Sequence, residues 1–402
     1  MDAYIARQPI LDRKKSLFAY ELLFRDGLAN YMPNIDGDTA TSKLLSSSFL
    51  TIGIDKITFG KRAFINFTQN LLETDIPLMF PRETTVVEIL EDVIPTPRVT
   101  EACRKLSAGG YYLALDDFVF KLELAPLIAF ADIIKIDFRV TPHSEIKKIL
   151  QKFGTKRIKF LAEKVETNEE FRAALNMGFE FFQGYFFSKP EIVKGKEISG
   201  SQMQYLNFMI EISKPNYDLS ELETIISRDI SMSYKLLRYV NSPYIKRSSE
   251  TTSVKQALLI LGKDEISRLL SLIGLSKLAS KKPDELIKSA SIRAKFCENL
   301  GTVSSYPARY DELFLLGLFS NLDAILDQPM VEIMAQLPLG TSIKEALVHR
   351  EGELASYLEL AEFYEQGKWD SVKETAAKMS IPENLIPNIY LEACSWTNES
   401  LF

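Results

Sequence analysis

The sequence predicts an α/β barrel followed by an all-helical domain, and three observations carry that expectation. From the N-terminus to about residue 190, short β-branched or aromatic runs alternate with amphipathic helical stretches, the pattern of repeated βα units around a parallel sheet. Between residues 189 and 201 the pattern breaks, with Pro190, Gly195 and Gly200 set among residues that lack apolar periodicity. Beyond Gln202 nothing reads as a strand. The expected domains are therefore residues 1–197 and 198–402, and a chain of 402 residues exceeds what one core usually supports.

In chain order, residues 1–10 read as the start of a strand, because a secretory signal needs a basic start followed by an apolar run. Further strands are expected at 63–67, 85–90, 112–115, 133–136, 159–162 and 179–182. Helices are expected at 144–153 and 169–177, the second with Asn168 as its N-cap and Gly178 as its stop. Strand ends recur every 20 to 30 residues or so, as βα units require. That repetition favours a closed barrel and leaves an open sheet as the alternative. In the second half, helical periodicity runs through 220–230, 232–240, 253–261, 265–278, 283–300, 311–326 and 343–366. Val254, Ala257, Leu258 and Leu261 share one helical face and read as core, with Gly262 where that helix should stop.

Composition excludes several functions. The chain is 46% hydrophobic and 25% charged, and no segment approaches the roughly 18 apolar residues of a membrane span. Cys103, Cys297 and Cys394 lie far apart, so neither a disulfide framework nor a cysteine zinc site is expected, and a reducing cytoplasm fits best. The net charge of -6 argues against a general nucleic-acid surface. His143 and His349 are the only histidines, both in helical contexts, which removes most histidine-metal and Ser-His-Asp chemistry.

The chemistry-bearing residues instead close the apolar runs. Glu21, Asn66, Glu88, Asp116, Asp117, Lys135, Glu163 and Gln183 each sit where a strand is expected to end. In a parallel barrel those ends open on one face, where reactive groups collect. A single exposed acid at a strand end is ordinary. Several converging carboxylates repel unless cations lie among them, and hard ions such as Mg²⁺ or Mn²⁺ accept this kind of oxygen donor. A two-metal phosphodiester site follows, with Lys135 set to neutralise charge developing on the phosphoryl group. The blander alternative is that the acids only keep the barrel soluble.

The segments RQPILDR, AYELLFRD, FINFT, VVEILEDV, LALDDF, IIKID, LAEKVET and FQGYFFSKP resemble, in order, the EAL phosphodiesterase domain over essentially residues 1–195. The later segments MSYKLLRYVNSP and KQALLILG are similar to those of the EAL-HDOD, or YuxH-like, bacterial signalling proteins. The resemblance implies a modified TIM barrel whose first strand is antiparallel to the others, and cyclic di-GMP as ligand. It implies Glu21, Asn66, Glu88 and Asp116 as metal ligands, with Asp117 and Glu163 serving a second metal or its water. Lys135, Glu163 and Glu21 would be catalytic. Arg25, Gln183 and Asp137 would contact the ligand, and Glu91 would steady the loop after LALDDF.

That loop departs from the family. It reads DDFVFKLELAPL in place of a DDFGxGYSSL-like segment, so glycine freedom is lost where the chain would fold over the metals. Lys164 stands where AEGVET has glycine. In the second domain GLFSNLDAIL places Phe319, Ser320 and Asn321 where an HD hydrolase carries its His-Asp pair. The resemblance then implies a non-catalytic HDOD domain that engages a protein partner, with a homodimer as a further expectation. Two functions stand: hydrolysis of cyclic di-GMP to pGpG, or a regulatory scaffold without turnover.

Overall fold

The computed structural model describes residues 4–25, 54–154, 157–191, 198–214, 222–223, 226–227, 230–245, 251–304 and 310–401. Much of the helix expected at 220–230, and 192–197 of the expected boundary, lie outside the described residues. The chain divides into two compact units, Met1–Lys189 with Phe363–Trp369, and Pro190–Glu362 with Asp370–Phe402.

In the first unit eight strands close into a barrel in chain order: β1 (Tyr4–Asp12), β2 (Leu17–Arg25), β3 (Arg62–Phe67), β4 (Thr85–Ile89), β5 (Tyr112–Leu115), β6 (Ile133–Asp137), β7 (Lys159–Glu163) and β8 (Phe181–Gln183). Strand β1 is antiparallel to both of its neighbours, and every other adjacent pair is parallel. The hairpin between β1 and β2 sets this reversal, since a short turn can join only antiparallel strands. Asp12 Oδ1 accepts from the amides of Lys14 and Ser16 at 2.8 and 2.9 Å, and Lys15 takes the left-handed conformation the turn needs.

The barrel is plugged rather than hollow. Ile10, Ala19, Phe64, Val86, Ala114, Ile133, Leu161 and Phe181, one from each strand, form a single buried cluster. Phe18 stacks on Phe181 at 4.0 Å and helps seal the end where the parallel strands begin. Outside the sheet lie helices α1 (Pro97–Ala108), α2 (His143–Phe153) and α3 (Asn168–Met177). Helix α3 starts one residue earlier than expected. Its N-cap is Thr167, not Asn168, and a capping box with Glu170 satisfies both amide ends. Gly178 ends it in the left-handed region, as expected.

After Ser199 the described residues contain helices and no strand. The helices are α4 (Gly200–Ile212), α5 (Ile230–Val240), α6 (Val254–Leu278), α7 (Asp284–Val303), α8 (Tyr310–Phe319), α9 (Leu322–Leu326), α10 (Met330–Gln336), α11 (Thr341–Val348), α12 (Glu353–Glu365), α13 (Trp369–Lys378) and α14 (Ile386–Leu401). The helix expected at 311–326 is two, α8 and α9, and that expected at 343–366 is also two, α11 and α12. Gly262 interrupts α6 with φ 73°, where a stop was expected. Ala257 and Leu258 are buried, and Val254 and Leu261 pack against the same core.

A polar network around Glu265 lies inside the helical unit. Glu265 accepts from the Tyr239 hydroxyl and, at 2.7 Å, from the Trp396 indole. Arg268 joins Glu265 at 3.0 Å to Glu298 at 2.6 Å. Burial raises the Glu265 carboxyl, but these donors and the charges of Lys295 and Arg268 outweigh it and hold the group below its ordinary value.

Candidate active site at the barrel mouth

Side chains on a strand alternate between its two faces. The residue two beyond each residue of the apolar plug therefore faces the barrel interior as well. On the seven strands that run toward the mouth these residues are Glu21, Asn66, Glu88, Asp116, Lys135, Glu163 and Gln183. Strand β1 runs the other way, so its member lies two residues before Ile10 and is Gln8, paired in register with Glu21. Eight strands thus deliver a polar layer directly above the plug.

Lys135 is fully buried and stands at the centre. Its ammonium lies 2.8 Å from Glu163 Oε1, 2.9 Å from Asp116 Oδ1 and 3.4 Å from Glu21 Oε2, and it also pairs with Glu88 Oε1. Gln183 Nε2 donates to Glu21 Oε2 at 2.6 Å and to Gln8 Oε1 at 3.0 Å, while Asn66 Nδ2 donates to Glu21 Oε1 at 3.2 Å. Glu21 is held from three sides.

Four carboxylates face one ammonium, and the charge imbalance shows in their protonation. Burial drives Glu88 well above its ordinary value and pushes Glu163 up to about 8. Burial also raises Asp116, but the Lys135 charge and hydrogen bond outweigh it, so Asp116 stays low. Burial works against the Lys135 charge too, and the surrounding carboxylates overcome it, holding the ammonium protonated well above 10.5. Glu88 Oε2, Glu163 Oε2, Asn66 Oδ1 and Gln183 Oε1 are buried without a hydrogen-bond partner. Unspent buried oxygens are costly unless something else supplies the positive end.

Asp117 and Asp137 form a separate outer pair around Lys164, whose ammonium lies 2.6 Å from Asp137 Oδ2 and 3.6 Å from Asp117 Oδ1. Asp137 Oδ1 also accepts from the amides of Arg139 and Val140 at 2.9 and 3.0 Å. Glu91 lines a cavity of about 150 Å³ with Asp116, Asp117, Phe118, Val119 and Lys121, beside the altered loop. Arg25 closes β2, and its side chain lies outside the described residues.

The structure thus brings seven sequence-predicted residues into one layer and sets Asp117, Asp137 and Glu91 around it. Gln8 and Lys164 are additions. Among the described residues no three Asp, Glu, His or Cys side chains are already gathered for one ion. The ammonium of Lys135 holds the point where they would meet.

In the helical unit the tract that departs from a His-Asp pair is also filled by a cation. Arg293 on α7 is buried, and its Nη1 lies 3.3 Å from Ser320 Oγ, 3.3 Å from Asn321 Oδ1 and 3.4 Å from Glu362 Oε1. A guanidinium against hydroxyl, amide and carboxylate oxygens is a stable arrangement without a metal. No helix among the described residues is long and apolar enough to cross a membrane.

Comparison with known proteins agrees with this architecture. The EAL domain family matches residues 40–190 and the HDOD domain family residues 203–354. The protein YuxH of Bacillus subtilis (strain 168) is 39% identical over 407 aligned residues, covering 98% of each chain. Cyclic di-GMP phosphodiesterase CdgJ of Vibrio cholerae serotype O1 is 39% identical, covering 98% of this chain and 92% of that one. A standalone EAL protein from Vibrio cholerae O395, solved in a c-di-GMP-bound form, is 26% identical over 47% of this chain and 92% of that one, with a TM-score of 0.36. A barrel whose first strand is reversed, a helical second unit and two full-length relatives lead to one assignment: the chain belongs to the EAL-HDOD family.

Proposed function

We propose that the barrel mouth binds cyclic di-GMP and hydrolyses one of its phosphodiester bonds to give linear pGpG, in a cytoplasmic signalling protein whose HDOD unit is a non-catalytic output domain that engages a protein partner. One observation carries the reading: four carboxylates surround the Lys135 ammonium while Glu88 Oε2, Glu163 Oε2 and Asn66 Oδ1 remain unspent. The similarity to the cyclic di-GMP phosphodiesterase CdgJ, over nearly its whole length, supports it.

The donor set is all oxygen and strongly acidic, which fits Mg²⁺ or Mn²⁺. Glu21, Asn66, Glu88 and Asp116 would hold such an ion, with Asp117 and Glu163 toward its water. When bound, the metal would supply Lewis acidity and a more acidic water. The chain's own groups do the rest. Lys135 offsets negative charge that builds on the phosphoryl oxygens. Gln183 bridges Gln8 and Glu21 and so fixes the Glu21 carboxylate. Glu163, 2.8 Å from the Lys135 ammonium, is placed to orient the attacking water. Arg25 and Asp137 contact the nucleotide, and Glu91 supports the loop. In the reaction a water oxygen bonds to phosphorus, the bond from phosphorus to a ribose oxygen breaks, and the leaving oxygen takes a proton.

A second reading, a scaffold without turnover, is favoured by the altered loop alone, where Val119 and Leu122 are exposed. Turnover separates the two. With Mg²⁺ or Mn²⁺ the wild type is expected to release pGpG, and Glu21→Ala to lower kcat by about 10²-fold or more. If micromolar wild-type enzyme releases no pGpG over hours, the enzymatic reading falls and the scaffold stands.

A further inference from the structure

The mouth carries two lysines, and they stand differently toward their acids. Around Lys135 four carboxylates share one ammonium, and two of them, Glu88 and Glu163, keep a buried oxygen without a partner. Around Lys164 only two carboxylates share the ammonium. Both oxygens of Asp137 are engaged, Oδ2 by Lys164 at 2.6 Å and Oδ1 by two backbone amides. The inner group has capacity for more positive charge. The outer group is nearer balance, with two carboxylates to one ammonium where the inner group sets four against one.

Backbone geometry places Lys164 there at a cost. Lys164 has φ 57° and Asp117 φ 36°, both in the left-handed region that disfavours side chains other than glycine. The two residues leave neighbouring parts of the same mouth, after β7 and β5, and turn toward each other, with Lys164 Nζ 3.6 Å from Asp117 Oδ1. A hard divalent ion needs several free oxygen donors. The Lys164 ammonium competes with any ion for Asp137 Oδ2 and Asp117 Oδ1.

We infer that Lys164 is a built-in cation that takes the place of a second metal ion, so that the mouth binds a single divalent ion, at the inner carboxylates around Lys135. This rests on the reading of the mouth as a metal site. Lys164 acts as a positioning residue: it holds Asp117 and Asp137 in place and does not itself bind the metal.

The test is the number of Mn²⁺ ions bound per full-length chain, counted by electron paramagnetic resonance of free Mn²⁺ and by calorimetry, without nucleotide. Wild type is expected to bind one ion. Lys164→Gly relaxes the left-handed backbone and frees both aspartates, and Lys164→Met removes only the charge. Both are expected to bind two ions, with the added site weaker than the first. Two ions in wild type, or one ion in both variants, overturns the role of Lys164 while leaving the metal site intact. No ion in any of the three proteins overturns the metal reading itself, and this inference with it.

Discussion

Replacing Lys135 with methionine is expected to be the most damaging single change in the barrel, lowering turnover by about 10²- to 10³-fold and stability by about 3–5 kcal/mol. Methionine keeps much of the volume but leaves Glu21, Glu88, Asp116 and Glu163 facing one another with no ammonium among them. The pH dependence has a definite sign. In the folded chain Lys135 titrates well above 10.5, the ordinary value, so its contribution is complete below that pH and is lost only as pH rises through the folded value. The variant is therefore weaker across the neutral range. Its deficit is smaller near pH 5 than near pH 8, because the abandoned carboxylates can take up protons instead. Urea unfolding at about these two pH values, beside a pGpG assay, checks both effects. A variant as stable as wild type at the higher pH would show that the four ion pairs contribute nothing net.

Gly317→Ala is expected to destabilise the helical unit by about 3 kcal/mol, at the upper end of what overpacking costs. A Cβ at Gly317 on α8 would lie 2.4 Å from the backbone of Arg293 and Ala294 on α7. Main chain cannot swing aside, so the two helices must separate. The same movement would draw Arg293 away from Ser320 and Asn321. Gly301→Ala is a useful contrast: its nearest obstacle, also at 2.4 Å, is the Leu313 Cδ1 methyl at a side-chain end, which can rotate. Thermal melting should show the larger loss for Gly317→Ala. Equal losses would mean that the close approach of α7 and α8 is not what the glycine provides.

Much of this was legible in the sequence, for reasons that particular residues make plain. Asn66, Glu88, Lys135 and Glu163 each follow an inward-facing apolar residue by two positions, and a period of two needs no tertiary information. Gln8 escaped the same reasoning because β1 is reversed. Its mouth-facing residue precedes the apolar one, so a search for polar residues that close apolar runs looks at the wrong end. Lys164 was visible only as a departure from glycine. Its engagement with Asp137 depends on a left-handed backbone that spacing does not reveal. Thr167 could have been found, since TNEE carries the capping-box spacing with Glu170. The break between α8 and α9 falls at Ser320 and Asn321, with neither glycine nor proline to mark it, whereas that between α11 and α12 carries Gly352 at φ 84°.

Binding of a divalent cation by the inner carboxylates is tested most directly by the melting temperature of the full-length chain with and without millimolar Mn²⁺. An ion that binds only the folded state must stabilise it, by about 2.7 kcal/mol when present at roughly one hundred times its dissociation constant. The expected result is a rise in wild type that Glu88→Gln abolishes. A wild-type melting temperature unmoved by Mn²⁺ would contradict the account.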